Sequence, residues 1–199
     1  MKPAPRSGFW WPERLASRLA GKAGAVWADQ RGVAAIEFGM FFILLSASLA
    51  NVADVSKYIF QRMEVENATE VAAQAAFAAC GQPQQSRSPQ LPATTNCSNL
   101  MVAVNAALQS TSLGTAVQLV NNPPVEAYYC INSANALQNV GAVTSPKPSD
   151  CMVAGTPTLA PGDYIQIQTR FTYQPWFPGF SAASFFPALI NRTAMMRLG

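Results

Sequence analysis

From Gly32 to Ala53 the chain carries one charged side chain, Glu37, and from Phe38 to Leu45 it shows no polar face at helical period. A helix of about 22 residues covers about 33 Å, the hydrocarbon thickness of a bilayer. The pattern therefore predicts a membrane-spanning helix over 32–53. Beyond it, Val52, Val55, Ile59 and Met63 recur at three- and four-residue steps, and Ala68, Ala72, Ala75, Ala76 and Ala79 continue the stripe. Lys57, Gln61, Arg62, Glu64, Glu70 and Gln74 fill the other sides. This segment is alanine-rich and free of glycine and proline, so its helix propensity is high. Cys80-Gly81 with Pro83 beyond reads as a stop. The prediction is one helix of roughly 45–50 residues, a span followed by a helical extension over 54–80.

Downstream the period changes. Gln82 to Asn96 is rich in Pro, Ser and Gln and reads as a loop. Asn99 to Gln109 reads as a second helix, with Leu100, Val104, Ala107 and Leu108 on one face. Thr115–Val120 and Val125–Ile131 have strand character, and Asn132–Thr158, with Pro146, Pro148 and Pro157, reads as loop. The clearest strand is 163–173. Ile165, Ile167, Thr169, Phe171 and Tyr173 alternate with Gln166, Gln168, Arg170 and Thr172, the mark of a half-buried antiparallel strand after a Pro161-Gly162-Asp163 turn. The aromatic and proline cluster that follows, from Gln174 to Phe180 and at Phe185-Phe186-Pro187, is expected to pack against the sheet and cover the core; an exposed contact patch is the alternative. Arg192 to Leu198 reads as a last short strand or a helical turn. The predicted class is α+β: a basic leader over 1–31, the span over 32–53, the extension over 54–80, and a disulfide-bonded exterior domain with an antiparallel sheet over 81–199.

Charge orients this arrangement. Residues 1–32 hold six basic and two acidic side chains, a net of +4, while residues 33–199 hold seven and eight, a net of −1. A basic flank beside an apolar span stays in the cytoplasm, which sends the rest of the chain outward. Within the leader, Glu13 to Trp27 reads either as a basic amphipathic helix on the membrane surface or as a solvated tail. The downstream net charge gives no support to nucleic-acid binding.

The chain has no histidine, which excludes Ser-His-Asp and Cys-His catalysis and histidine-containing zinc sites. Asp150 and Asp163 stand beside turn formers, and capping is the expected role of each. No catalytic residue, cofactor or metal site is expected. Cys80, Cys97, Cys130 and Cys151 all follow the span, and an even count on the exported side suggests two disulfides. Successive cysteines lie 17, 33 and 21 residues apart, unlike the close pairs of a zinc site. Three connectivities are open. Pairing of neighbours is preferred because each pair brackets a loop.

Glu37 needs a physical account, because an ionisable group inside a span is costly. It is the fifth residue after Gly32, and Arg31 ends the basic leader. This arrangement of basic leader, glycine, four residues, glutamate and apolar helix resembles type IV pilin precursors. The wording Arg31-Gly32-Val33-Ala34-Ala35-Ile36-Glu37-Phe38, with Asn67-Ala68-Thr69-Glu70-Val71-Ala72-Ala73-Gln74-Ala75-Ala76 later, is similar to the TadE/TadG-like group, pseudopilins or minor pilins of the tight-adherence (Flp) pilus machinery. The resemblance covers residues 31 to 80 well. The chain departs from the group in its long leader and in having no proline within the apolar run.

The resemblance implies cleavage by a prepilin peptidase between Gly32 and Val33. It implies a subunit-docking role for Glu37, with Phe38 beside it, through attraction to the new amino terminus of a neighbour. It also implies a place in the bacterial inner membrane, N-terminus in the cytoplasm and the C-terminal domain in the periplasm, with pilus subunits and assembly machinery as partners. The expected function is thus a single-span pseudopilin or assembly protein. The alternative is a membrane-anchored periplasmic binding module that enters no filament. An exported hydrolase is the weakest reading, since GxSxG and paired-carboxylate motifs are lacking.

Overall fold

The computed structural model describes residues 30–81 and 90–199. The expected leader helix over Glu13–Trp27 and most of the loop after Gly81 lie outside the described residues. The fold is α+β: a long apolar N-terminal helix, an antiparallel sheet and two disulfides. The chain divides into two compact units, Met1–Leu49 and Ala50–Gly199.

Helix α1 (Gln30–Ala76) contributes to both units and ends in a π-type turn, Phe77–Gly81. In the first unit its side chains from Val33 to Leu45 are exposed apart from the half-buried Gly39, and by length and composition the helix is apolar enough to cross a membrane. In the second unit its buried line is Asp54, Val65, Ala68, Thr69, Ala72, Ala73 and Ala76. The apolar stripe read from the sequence splits here. Its alanines face the core, whereas Val52, Ile59 and Met63 are exposed. The sheet approaches the small side chains, and a polar residue, Asp54, takes the buried position nearer the start.

The rest of the second unit comprises α2 (Ala93–Asn96), α3 (Leu100–Gln109), β1 (Gln118–Leu119), β2 (Val125–Ile131), β3 (Leu137–Ala142), β4 (Gly162–Thr172) and β5 (Leu189–Arg197). All pairings are antiparallel. β4 is the axis of the sheet. β5 runs along it from Tyr164↔Arg197 to Thr172↔Leu189. β2 pairs with its first half, with Glu126↔Ile165 and Tyr128↔Asp163 in register, and β1 pairs at Thr169 and Arg170. The alternation expected of this strand is present: Ile165, Ile167, Thr169 and Phe171 are buried, as is Tyr173 just beyond it. Ile165, Ile167, Phe171 and Tyr173 pack with the α1 alanines and with Leu100, Val104 and Leu108 of α3 in one cluster.

Some local expectations change. The expected loop up to Asn96 ends in α2, where Glu126 satisfies the first amides, and the strand expected over Thr115–Val120 is confined to Gln118–Leu119 after a short 3-10 turn. The stretch 132–158 is not all loop, because β3 pairs with β2. Leu-Gln-Asn-Val-Gly-Ala has little strand propensity; a neighbouring strand and the Cys130–Cys151 disulfide, whose small cluster includes Val140 and Ala154, hold it in place. Of the two forms expected for the C-terminal stretch it takes the strand, which is nine residues long and starts earlier, at Leu189. The second disulfide joins Cys80, at the end of the α1 turn, to Cys97. Closing a ring of this size stabilises by roughly 3 kcal/mol in the chain-entropy model.

Candidate functional site

The residues singled out for processing and docking all lie in the first turns of α1. Gly32 has open space where a Cβ would stand. Val33, Glu37 and Phe38 are exposed. Val33 and Glu37 are four residues apart, one above the other on the helix face. Phe38 stacks on Phe42 with ring centroids 6.2 Å apart. This places an acidic group and three phenylalanine rings, Phe38, Phe41 and Phe42, on an exposed apolar exterior.

A second constellation was not anticipated. It joins α1 to the loop between β4 and β5. The Asp54 carboxylate accepts the backbone N–H groups of Trp176 at 2.8 Å and Phe177 at 3.0 Å. One turn earlier, the Asn51 side chain accepts the N–H of Ala182 at 2.7 Å and donates to the Phe180 carbonyl at 3.4 Å. One turn later, Lys57 donates to the Gln174 carbonyl at 2.8 Å and sits 4.6 Å from the Trp176 ring centroid. The Tyr173 hydroxyl donates to the Asp54 carbonyl at 3.1 Å, and Tyr58 packs on the rings of Tyr173 and Phe186. Burial pushes the Asp54 carboxyl up, but the Phe177 and Trp176 donors, the Ser181 hydroxyl and the Lys57 charge outweigh it and leave the group below its ordinary value. Burial also raises the Tyr173 phenol, with Asp54 and Tyr58 adding to the effect.

This clamp corrects the reading of the aromatic cluster as a cover for the core. Tyr173, Ser181 and Ala183 are buried, but Phe180 is 88% exposed and Phe185 91% exposed, and Trp176 and Phe177 are exposed too. Satisfying the loop's peptide groups through Asn51 and Asp54 turns its rings outward. The signal in the sequence was the polar and aromatic series Asn51, Asp54 and Tyr58 on one helical face.

A third cluster lies at the start of β4. Glu126 Oε1 accepts the Ala93 N–H at 2.6 Å, and Oε2 accepts the Thr94 N–H at 2.7 Å and the Thr94 hydroxyl, so Glu126 caps α2. Asp163 is buried near it, and its Oδ1 has no hydrogen-bond partner among the described residues. Burial raises the Asp163 carboxyl to about 7; the Glu126 charge and hydrogen bond add to this, and Lys147 partly opposes it. Burial likewise raises Tyr128, directly across from Asp163, with both carboxyls contributing. Asp163 is therefore no cap, contrary to expectation. Asp150 does hold a turn: its Oδ1 accepts the Met152 N–H, two residues on, at 3.0 Å.

Comparison with protein-family models, with curated proteins and with solved structures finds no match.

Proposed function

We propose that this chain is a single-span pseudopilin or assembly protein of a tight-adherence, type IV-like pilus. Residues 32–53 cross the bacterial inner membrane, 1–31 face the cytoplasm, and the sheet domain lies in the periplasm. The role is structural rather than catalytic. Prepilin peptidase removes the leader after Gly32 and leaves a positive amine on Val33. Glu37, one turn away, attracts the corresponding amine of a neighbouring subunit. In a low-dielectric helix bundle such a pair is far stronger than in water, and desolvation offsets part of the gain.

The observation that carries the reading is the exposed side of α1. Val52, Ile59 and Met63 are exposed although the same helix has a domain packed on its other face. With Ser56 they fall at steps of four, three and four, the spacing of a helix-to-helix seam. A helix that serves only to anchor a domain has no use for such a line.

The test is a photo-crosslinking residue placed at Ile59 or Met63 in cells. The proposal expects a covalent adduct with a second copy or with another protein that has a glycine–glutamate start of the same kind. Adducts with neither, in cells that assemble pili, favour the membrane-anchored binding module instead.

A further inference from the structure

The loop between β4 and β5 combines two properties that rarely occur together. From Gln174 to Ala188 it has no charged side chain, and Trp176, Phe177, Phe180 and Phe185 are exposed. Yet every peptide N–H from Trp176 to Ser184 is donated within the chain. Asp54 and Asn51 take three of them, the hydroxyl oxygens of Ser181 and Ser184 take two, and the carbonyls of Phe177 and Ser181 take the rest. Pro178 has none to donate. Water is not needed to satisfy these donors. Internally satisfied donors are one part of what backbone entering an apolar layer requires.

The position of the loop is the second argument. Its Phe180 carbonyl and Ala182 N–H are bound by Asn51, which lies in the last turn of the apolar run ending at Ala53. The rings therefore sit at the level where that run gives way to the polar extension. Aromatic side chains concentrate at that depth of a bilayer, with lysine ammonium groups reaching towards headgroups. Lys57, bonded to Gln174 and lying over the Trp176 ring, is one turn beyond Asn51 and Asp54 on the polar side.

We propose that this loop seats Trp176, Phe177, Phe180 and Phe185 in the outer interfacial layer of the bilayer, with lipid as their partner. The proposal rests on the reading of 32–53 as a span. It gives the sheet domain a second membrane contact besides its helix, and so a defined tilt against the surface.

The test uses the full chain in phosphatidylcholine vesicles with Trp10→Phe, Trp11→Phe and Trp27→Phe, which leaves Trp176 as the sole tryptophan. A companion protein also carries Trp176→Phe and Phe42→Trp, and reports on the span. The expected result is loss of fluorescence in both proteins when the acyl chains are brominated, and a weak response of Trp176 to aqueous acrylamide. If the Phe42→Trp protein is quenched by bromolipid but Trp176 is not, the proposal is overturned while the span stands. Free access of acrylamide to Trp176 then means that the loop lies in water; shielding from both quenchers means that protein covers it. If the Phe42→Trp protein is not quenched, the span reading fails and this proposal falls with it.

Discussion

The Asp54 carboxylate accepts the backbone N–H of Trp176, 122 residues away, at 2.8 Å. One acidic side chain on α1 thus holds the loop that follows the central strand. Replacing it with Ala leaves the Trp176 and Phe177 amides without acceptors. Asp54→Ala is expected to speed hydrogen exchange at residues 176–184, while the amides of Ile165 to Thr169 in β4 keep their protection. Equal acceleration in both would mean that Asp54 supports the whole unit rather than the loop. The folded carboxyl is held below its ordinary value, so its contribution is present above that value and is lost as pH falls through the folded pKa. Loop protection in the unaltered protein, after correction for the intrinsic pH dependence of exchange, is therefore expected to hold down through the ordinary carboxylate range and to fall only below it.

Asp163 behaves in the opposite sense. Its folded pKa, about 7, lies above that of the unfolded chain. The folded state binds the proton more tightly, so stability is full below the ordinary carboxylate value and declines as pH rises towards about 7. Asp163→Asn removes the charge and keeps the shape. It is expected to flatten this part of the pH profile and, above neutral pH, to raise Tm by roughly 2–4 °C, the shift that ~1 kcal/mol produces in a domain of this size. Thermal melts across the pH range check both the slope and its loss.

Thr69 and Thr169 connect helix to sheet through two buried hydroxyls. Thr69 donates to the Val65 carbonyl at 2.6 Å, so its one hydrogen is used, and Thr169 must be the donor in the contact between them. Thr69→Val alone leaves the Thr169 hydroxyl without its acceptor and is expected to cost about 1–3 kcal/mol. The double replacement with Val is expected to recover much of that loss, because nothing polar is left stranded. Denaturant unfolding of the two single variants and the double variant reads out the coupling.

Glu37→Ala is expected to leave membrane insertion intact and to block assembly with partner subunits. Carbonate extraction checks the first, and recovery of the protein in sheared pili or in crosslinked complexes checks the second. Assembly that persists assigns docking to some other group.

Much of this architecture is legible in the residue pattern. The long apolar run and the alternation from Ile165 to Tyr173 each carry a clear signal that the structure follows, and the extension is helical as expected although only the alanine part of its stripe is buried. What escaped depends on contacts far apart in the chain. β3 has weak local propensity and exists because β2 offers it an edge. Asp54 looks like one polar residue among several until the loop of Trp176 arrives to use it. The Asp163 environment depends on Glu126, which comes from another strand. The outward turn of Phe180 and Phe185 could not be read locally, because aromatic residues beside a strand usually pack onto it. Gly32 and Glu37 were the reverse case. Their spacing was plain in the sequence, and the structure adds only that both are exposed on one helix.

In the proposed role, removal of the leader frees a membrane helix beginning at Val33 to dock into an assembly. Mass spectrometry of the mature N-terminus tests it most directly. The expected result is a chain starting at Val33, with the cut abolished by replacing Gly32 or by removing the prepilin peptidase. A chain that starts at Met1 contradicts processing and leaves an uncut anchor, and one that starts at Asn51 contradicts the anchor as well.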